Sequence, residues 1–339
     1  MDVWLPSLRG VILRLGAGLL FSCWAWAGQA AEPIRVLATM PALHSWAANV
    51  AGDDARVETL PAANVGPHDF QFRPSDLRRL GAAHVVVRNG LGVDVWLDKA
   101  LASNPGPAGR RVVVTSQGLQ TEWITRIPEI EISSVPASGK EQSKGRDHDH
   151  DHDHDSEPGH GAAGGHGHDG GPNPHLWLDP VFAKHGVSNI LEALVAVDPE
   201  HAEGYRRRSA AYVMELDRLD AEIRSHVGGL KDRRLVTFHD AFPYFCRRYG
   251  LELVGVVEEV PNVEPGPRYL TSLSKAIRRT GVQVVFSEPQ FHPRLVRRLA
   301  EDLGIRTAEL DVLETGVPSA GFYVEGQRRN LRALASALR

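Results

Sequence analysis

The stretch PEHAEGYRRRSAAYVMELDRLDAEIRSHV, from Pro199 to Val227, decides the fold. Leu194, Val197, His201, Tyr205, Ala211, Leu216, Leu219 and Ile223 recur at roughly helical spacing through it and just ahead of it, among many charges. Gly204 is its only glycine, and no proline follows Pro199 within it. The spacing predicts one helix over 199–227. At ~1.5 Å per residue it runs about 40 Å, enough to bridge two lobes as a stiff backbone. The alternative is two shorter helices broken at Gly204.

Working outward, both flanks alternate strand and helix. Ahead of it, strands are expected at 34–38, 57–60, 84–88 and 112–115, with helices at 42–51, 75–80 and 94–102. Behind it, strands are expected at 234–238, 251–257, 282–287 and 305–310. The helices there fall at 241–249, 269–280, 293–303 and 324–338, three of them stopped by Gly250, Gly281 and Gly304. Strand–helix–strand repetition marks a parallel sheet covered by helices. The fold class expected is α/β: two doubly wound lobes joined by one long rigid helix. The expected division is a signal peptide over 1–30, an N-terminal lobe over 31–198 that includes a disordered His-rich loop at 139–171, the linking helix at 199–227, and a C-terminal lobe over 228–339.

Apolar residues make up 42% of the 339, so a sizeable core is available, and the net charge is −4. No basic stripe stands out, which argues against a nucleic-acid partner. Arg9 and Arg14 flank the start of an apolar run, Leu15 to Ala27, followed by small residues. That is the pattern of a secretory signal, cleaved after Ala30, rather than of a membrane anchor. Leu20-Phe21-Ser22-Cys23 fits a lipoprotein box poorly at Phe21. The expected location is therefore the periplasm. Of the two cysteines, Cys23 leaves with the signal, and Cys246 alone forms no internal disulfide. A metal site must then use His, Asp and Glu rather than paired thiolates.

Histidine is concentrated in one place. Eight of the sixteen lie between Asp147 and Pro180, where DHDHDHDHD leads through GHGAAGGHGHDGG to NPHLWLDP. From Asp147 to Asp169 the only apolar interruption is a pair of alanines, too little to fold alone. His148, His150, His152, His154, His160, His166 and His168 are candidates for a secondary, weaker zinc collector, with a solvated linker of incidental affinity as the alternative. From His168 to His175 the chain extends at most about 25 Å, so the tract reaches the mouth of a cleft.

Open α/β sheets bind ligands just beyond the C-terminal ends of their strands. His239 directly follows the 234–238 strand, His68 lies in the loop after 57–60, His175 follows the histidine tract, and Asp311 ends the 305–310 strand. Three imidazoles and a carboxylate make a closed tetrahedral site that suits zinc and admits other first-row ions. Ordinary polar loop residues are the alternative, since no local spacing binds the set together. Asp69, Asp179 and Asp240 each lie near a candidate histidine and could orient its ring, or could cap a helix locally. His84, His185, His201 and His226 read as structural or solvated. His44 and His292 are lesser candidates near the cleft.

These residues carry a resemblance. Pro67-His68-Asp69-Phe70 with Arg73-Pro74-Ser75-Asp76-Leu77, Asn173-Pro174-His175-Leu176-Trp177-Leu178-Asp179-Pro180, Thr237-Phe238-His239-Asp240-Ala241-Phe242-Pro243-Tyr244-Phe245, Phe286-Ser287-Glu288-Pro289-Gln290-Phe291 and Leu310-Asp311 occur in this order from about Ile34 to the C-terminus. The chain resembles the cluster A-I (zinc and manganese) substrate-binding proteins of ABC transporters, and most of all their ZnuA-like zinc branch. The resemblance implies a metal held between two lobes and delivery to a membrane permease, with no enzymatic activity. A periplasmic zinc metallochaperone is a further expected partner, and the chain is expected to be a monomer. A histidine at position 239, where manganese binders often carry Glu, favours Zn2+. Pro67 stands where some zinc members place a Glu, which favours Asp311 as fourth ligand, with a solvent molecule as the alternative.

Three other readings compete. The same scaffold could carry manganese or iron. A zinc-buffering protein or adhesin would lack a permease. A zinc hydrolase needs an open metal position and a base such as Glu258, Glu259 or Glu288, but HExxH is absent.

Overall fold

A computed structural model of the chain describes residues 1–2, 32–124, 171–258 and 264–339. Met1–Glu32 separates from one compact unit, Pro33–Arg339. The expected leader falls almost wholly outside the described residues, and the histidine tract of 147–169 falls wholly outside them. Among the described residues no helix is long and apolar enough to cross a membrane.

The N-terminal lobe runs β1 (Ile34–Ala38), α1 (Pro41–Ala51), β2 (Ala55–Thr59), α2 (Pro74–Ala82), β3 (Val85–Arg88), α3 (Trp96–Ser103), β4 (Arg111–Val114). After the histidine tract come a 3-10 turn at Leu176–Leu178, then α4 (Pro180–Val197) and α5 (Ala202–Gly228). The C-terminal lobe follows with β5 (Arg234–Thr237), α6 (Pro243–Tyr249), β6 (Glu252–Val256), α7 (Pro267–Thr280), β7 (Val284–Ser287), α8 (Arg294–Leu303), β8 (Arg306–Glu309) and α9 (Phe322–Ala337).

Each lobe has a four-stranded parallel sheet, ordered β2-β1-β3-β4 in one and β6-β5-β7-β8 in the other. The sequence explains which strands are central. Val85, Val86 and Val87 in β3, and Val284, Val285 and Phe286 in β7, are buried on both faces. The edge strands β4 and β8 carry exposed arginines, Arg111 and Arg306, which discourage further pairing.

The long helix is present, but it starts three residues late. Pro199–His201 forms a 3-10 turn, and α5 then runs 27 residues without a break at Gly204. Its apolar stripe, Tyr205, Tyr212, Leu216, Leu219, Ile223 and Val227, is buried. That stripe belongs to a single apolar cluster that joins Trp46 and Val87 of the first lobe to Phe242 and Phe286 of the second, with Tyr323 and Leu334 of α9 between them. Two smaller clusters fill the far faces of the sheets, one around Leu37, Val86 and Leu97, the other around Val236, Val285 and Val296. The shared core makes the lobes one packed body rather than two beads on a hinge.

Polar ties reinforce it. Trp177 Nε1–H donates to Val312 O at 2.7 Å, Tyr323 O–H to Trp177 O at 2.7 Å, and Gln327 Nε2–H to Leu178 O at 2.8 Å. The 3-10 turn that follows His175 is thus fastened to the opposite lobe.

Candidate metal centre

His68, His175, His239 and Glu314 converge between the lobes. One ligand atom from each lies within 4.8 Å of all the others. His68 comes from the β2–α2 loop and His175 from the segment entering α4. His239 comes from the turn after β5, and Glu314 from the β8–α9 loop. All but His68 are almost wholly buried: the side chains are 15% exposed for His68, 3% for His175, 1% for His239 and 3% for Glu314. His239 Nε2 faces His175 Nε2 at 3.1 Å, and Glu314 Oε1 faces His68 Nε2 at 3.4 Å and His175 Nε2 at 3.6 Å. Tetrahedral bonds of ~2.0–2.1 Å give ligand–ligand edges of about 3.3 Å, so these gaps match a shell around one ion. Glu314 Oε1 is buried and accepts no well-formed hydrogen bond. A buried carboxylate oxygen so placed fits a cation at the centre.

Two rings are held from behind. Asn173 Oδ1 accepts from His175 Nδ1–H at 2.9 Å and from His175 N–H at 3.0 Å, while Asn173 Nδ2–H donates to Asp240 O at 2.8 Å. An amide oxygen only accepts, so His175 carries its proton on Nδ1 and aims the Nε2 lone pair inward. His239 Nδ1–H meets both Glu288 oxygens at 2.8 Å, and Glu288 also accepts from His239 N–H and Gln290 Nε2–H. This carboxylate–histidine pair fixes the tautomer and raises ligand basicity.

Charge differs sharply around the two rings. Burial drives the His175 pKa down to about 3, so it stays neutral. Burial alone would lower His239 too, but the adjacent Glu288 outweighs it and raises His239 to about 9. Burial would raise Glu314, yet the surrounding imidazoles hold it well below the usual carboxylate range.

The three expected histidines come together, but the expected carboxylate does not. Asp311 turns away: its Oδ1 accepts from Leu313 N–H at 2.8 Å, and its Oδ2 pairs with Arg329 at 3.3 Å on α9. Leu313 has a left-handed φ of 61° and packs on Gly326, which reverses the chain and sends Glu314 inward. The sequence signal was present, a second acid three residues on, but the turn that selects it is not readable from residue types.

Of the three acids expected to orient a ring, Asp179 is engaged elsewhere. Asp179 caps α4 by accepting from Val181 N–H at 2.9 Å and accepts from Arg248 Nε–H at 2.6 Å. Asp240 meets Asn173 through its backbone carbonyl. Asp69 closes a turn through its N–H to Gly66 O. Asn173 and Glu288 hydrogen-bond the rings of His175 and His239. Of the remaining histidines among the described residues, His44 faces Val57 O, His84 accepts from Arg35 N–H, and His185 faces Gln117 O. His201 pairs with Asp198, His226 faces Glu222 O, and His292 accepts from Arg294 N–H. None belongs to the cluster.

Imidazoles and a carboxylate meeting from both lobes of a double α/β fold place the chain in the class of two-lobed metal-binding proteins. The comparisons with known proteins agree. The family described as ZnuA, zinc-uptake complex component A, periplasmic, matches residues 36–337. The high-affinity zinc uptake system protein ZnuA of Paracoccus denitrificans is 34% identical over 321 residues, covering 91% of this chain and 93% of that one. The protein of the same name from Brucella abortus is 31% identical over 284 residues, covering 84% and 85%. The chain belongs to the ZnuA family, whose members are binding components of an uptake system and not enzymes. Among solved structures, the substrate-binding protein FpvC of Pseudomonas aeruginosa in complex with Mn2+ superposes with a TM-score of 0.72 at 27% identity, covering 91% of this chain and 99% of that one. A crystal structure of ZnuA superposes with a TM-score of 0.70 at 23% identity, covering 91% and 100%, and shares the fold.

Proposed function

We propose that the protein is exported to the periplasm, captures Zn2+ through His68, His175, His239 and Glu314, and delivers it to the permease of an ABC importer. The observation that carries this reading is the interlobe cluster of three imidazoles and one carboxylate within 4.8 Å. Four protein ligands close the shell, which suits tight capture and leaves no open position for hydrolysis. The charges also balance. A divalent ion with Glu314 in its shell and Glu288 behind it sums to zero. Zinc titration of the metal-free protein against a competing chelator tests the reading. Replacing all three histidines with alanine is expected to weaken the tight site by orders of magnitude; unchanged affinity would sink the assignment.

Manganese on the same scaffold is the second reading, since FpvC is solved with Mn2+ at 27% identity. Three imidazoles favour zinc over a harder ion. Competition at equal free Zn2+ and Mn2+ decides, with zinc expected to win.

The histidine tract is read as a collector that raises local zinc near the main site. Its flanks support this. Asn173 N–H donates to Ile124 O at 2.6 Å, so the segment leaves and re-enters at one point, two residues from His175. Deleting Asp147–Asp169 is expected to remove only weak sites, and loss of the tightest one would contradict the collector role.

A further inference from the structure

Both N-lobe ligands are preceded by proline, Pro67 before His68 and Pro174 before His175. Each proline carbonyl accepts a side-chain N–H from one short segment, the β3–α3 connection and the first residue of α3. Trp96 Nε1–H donates to Pro67 O at 2.8 Å, and Asn89 Nδ2–H donates to Pro174 O at 3.0 Å. The Trp96 ring also packs on Phe70 at 4.6 Å and Phe72 at 5.5 Å, so it grips the His68 loop on both sides of the ligand.

The connection itself is unusually constrained. Gly90, Leu91 and Gly92 have φ of 85°, 54° and 89°, three consecutive left-handed residues, one of them not glycine. Such a conformation is costly for a residue with a Cβ, as Leu91 is, and persists only where the surroundings impose it. Asp94, fully buried, imposes it here. Its carboxylate accepts from Asn89 N–H at 2.6 Å, Gly90 N–H at 3.1 Å, Thr39 Oγ1–H at 3.1 Å and Arg88 Nε–H at 3.2 Å. A Cβ on Gly90 would lie 2.6 Å from Val114 Cγ1, so the loop is pressed against β4 as well. This much fixing is not needed merely to join a strand to a helix.

We propose that Asn89 and Trp96 are positioning residues for metal capture: the Asp94-braced loop is one template that sets the spacing of His68 and His175 through their preceding prolines. The proposal rests on the metal-capture reading above. Neither residue touches the ion. They act by fixing where two backbones carry their imidazoles, and a shift of a fraction of an ångström is enough to spoil a tetrahedral shell.

The test uses the full chain, metal-free, with Trp96→Phe and Asn89→Ala. Trp96→Phe keeps an aromatic ring against Phe70 and Phe72 and removes the donor together with part of the indole's bulk. Pro174 O keeps its bond from Leu176 N–H at 2.8 Å in Asn89→Ala, so the change is a truncation rather than an orphaned carbonyl. Zinc affinity is expected to fall ~10–100-fold in each, the range for partners one step removed from a metal. The ligand-field absorption of bound Co2+ is expected to lose intensity and shift as the tetrahedron distorts. Val95→Ala, on the exposed side of the same loop, is expected to leave both readouts unchanged. A merely structural role would lower the melting temperature and leave the Co2+ spectrum of the folded protein as it was. Wild-type affinity and an unaltered spectrum in Trp96→Phe overturn the proposal, whether or not Asn89→Ala folds. A wild type without a tight site would instead sink the capture reading, and this proposal with it.

Discussion

The two lobes repeat one topology and use it to opposite electrostatic ends. In each, the third strand of the sheet order delivers a side chain that supports the site at the first position past its end. After β3 that residue is Asn89, a neutral amide that reaches a backbone carbonyl. After β7 it is Glu288, a carboxylate that grips a ligand ring directly. The N-lobe contributes His68 and His175, held by an indole, two amides and proline carbonyls. The C-lobe contributes His239 and Glu314, and both carboxylates of the site belong to it. The repeat fixes where a supporting residue can sit; its chemistry decides whether it supplies geometry or charge. A cation held there would meet imidazoles placed by amides and an indole on one side and two carboxylates on the other.

Breaking the charged side is expected to have the largest effect. His239→Ala removes a proposed ligand and takes from buried Glu288 its ring partner, so zinc affinity should fall well beyond the ~10–100-fold typical of outer partners. Calorimetric titration checks this; a loss smaller than that of Glu288→Gln would reverse the ranking. Next comes Glu288→Gln itself, expected to cost ~10–100-fold.

Glu288→Gln also carries a pH signature. His239 is raised from 6.5 to about 9 in the folded, metal-free protein. A raised imidazole contributes stability that is fully present below pH 6.5 and is lost as pH rises through about 9. The metal-free melting temperature should therefore decline across that window in wild type and flatten in the variant. A matching slope in both would show that Glu288 does not hold the proton. In the same window zinc must displace that proton, so binding near neutral pH should release about one, read from titrations in buffers of different ionisation enthalpy.

Asp311→Asn is expected to do least at the site. It leaves Glu314 in place, so zinc affinity should not change. The lost Asp311–Arg329 pair is half exposed and is worth at most ~1 kcal/mol, seen as a small drop in melting temperature. Because one core spans both lobes, zinc should also change the radius of gyration little, and a large shrinkage in scattering would contradict the packed-body picture.

The fold was legible because its signals are local. All eight strands among the described residues overlap the runs that predict them, with β2 starting two residues early and β4 one, and the periodicity of 199–227 marks a helix that packs against both lobes. The 18-residue α4 is not among the expected helices, although Asp179 and Pro180 supply a cap and an N1 proline at its start. At the site, His68, His175 and His239 were legible because each follows a strand or loop that ends at the cleft. Glu314 was not, because its selection over Asp311 depends on a left-handed turn at Leu313 and on the space left by Gly326 on α9. The grip of Glu288 on His239 spans 49 residues and that of Asn173 on His175 rests on a two-residue turn, so neither support is readable from residue types. Ligand type was readable from sequence, whereas ligand support depends on tertiary contacts.

The central claim is that both lobes contribute to one shell of three imidazoles and Glu314. Diffraction from zinc-soaked crystals at the zinc absorption edge tests it most directly. The account predicts one strong anomalous peak between the lobes, ~2.0–2.2 Å from His68, His175, His239 and Glu314. A peak bonded to Asp311 in place of Glu314, or to fewer than three of these histidines, would contradict it.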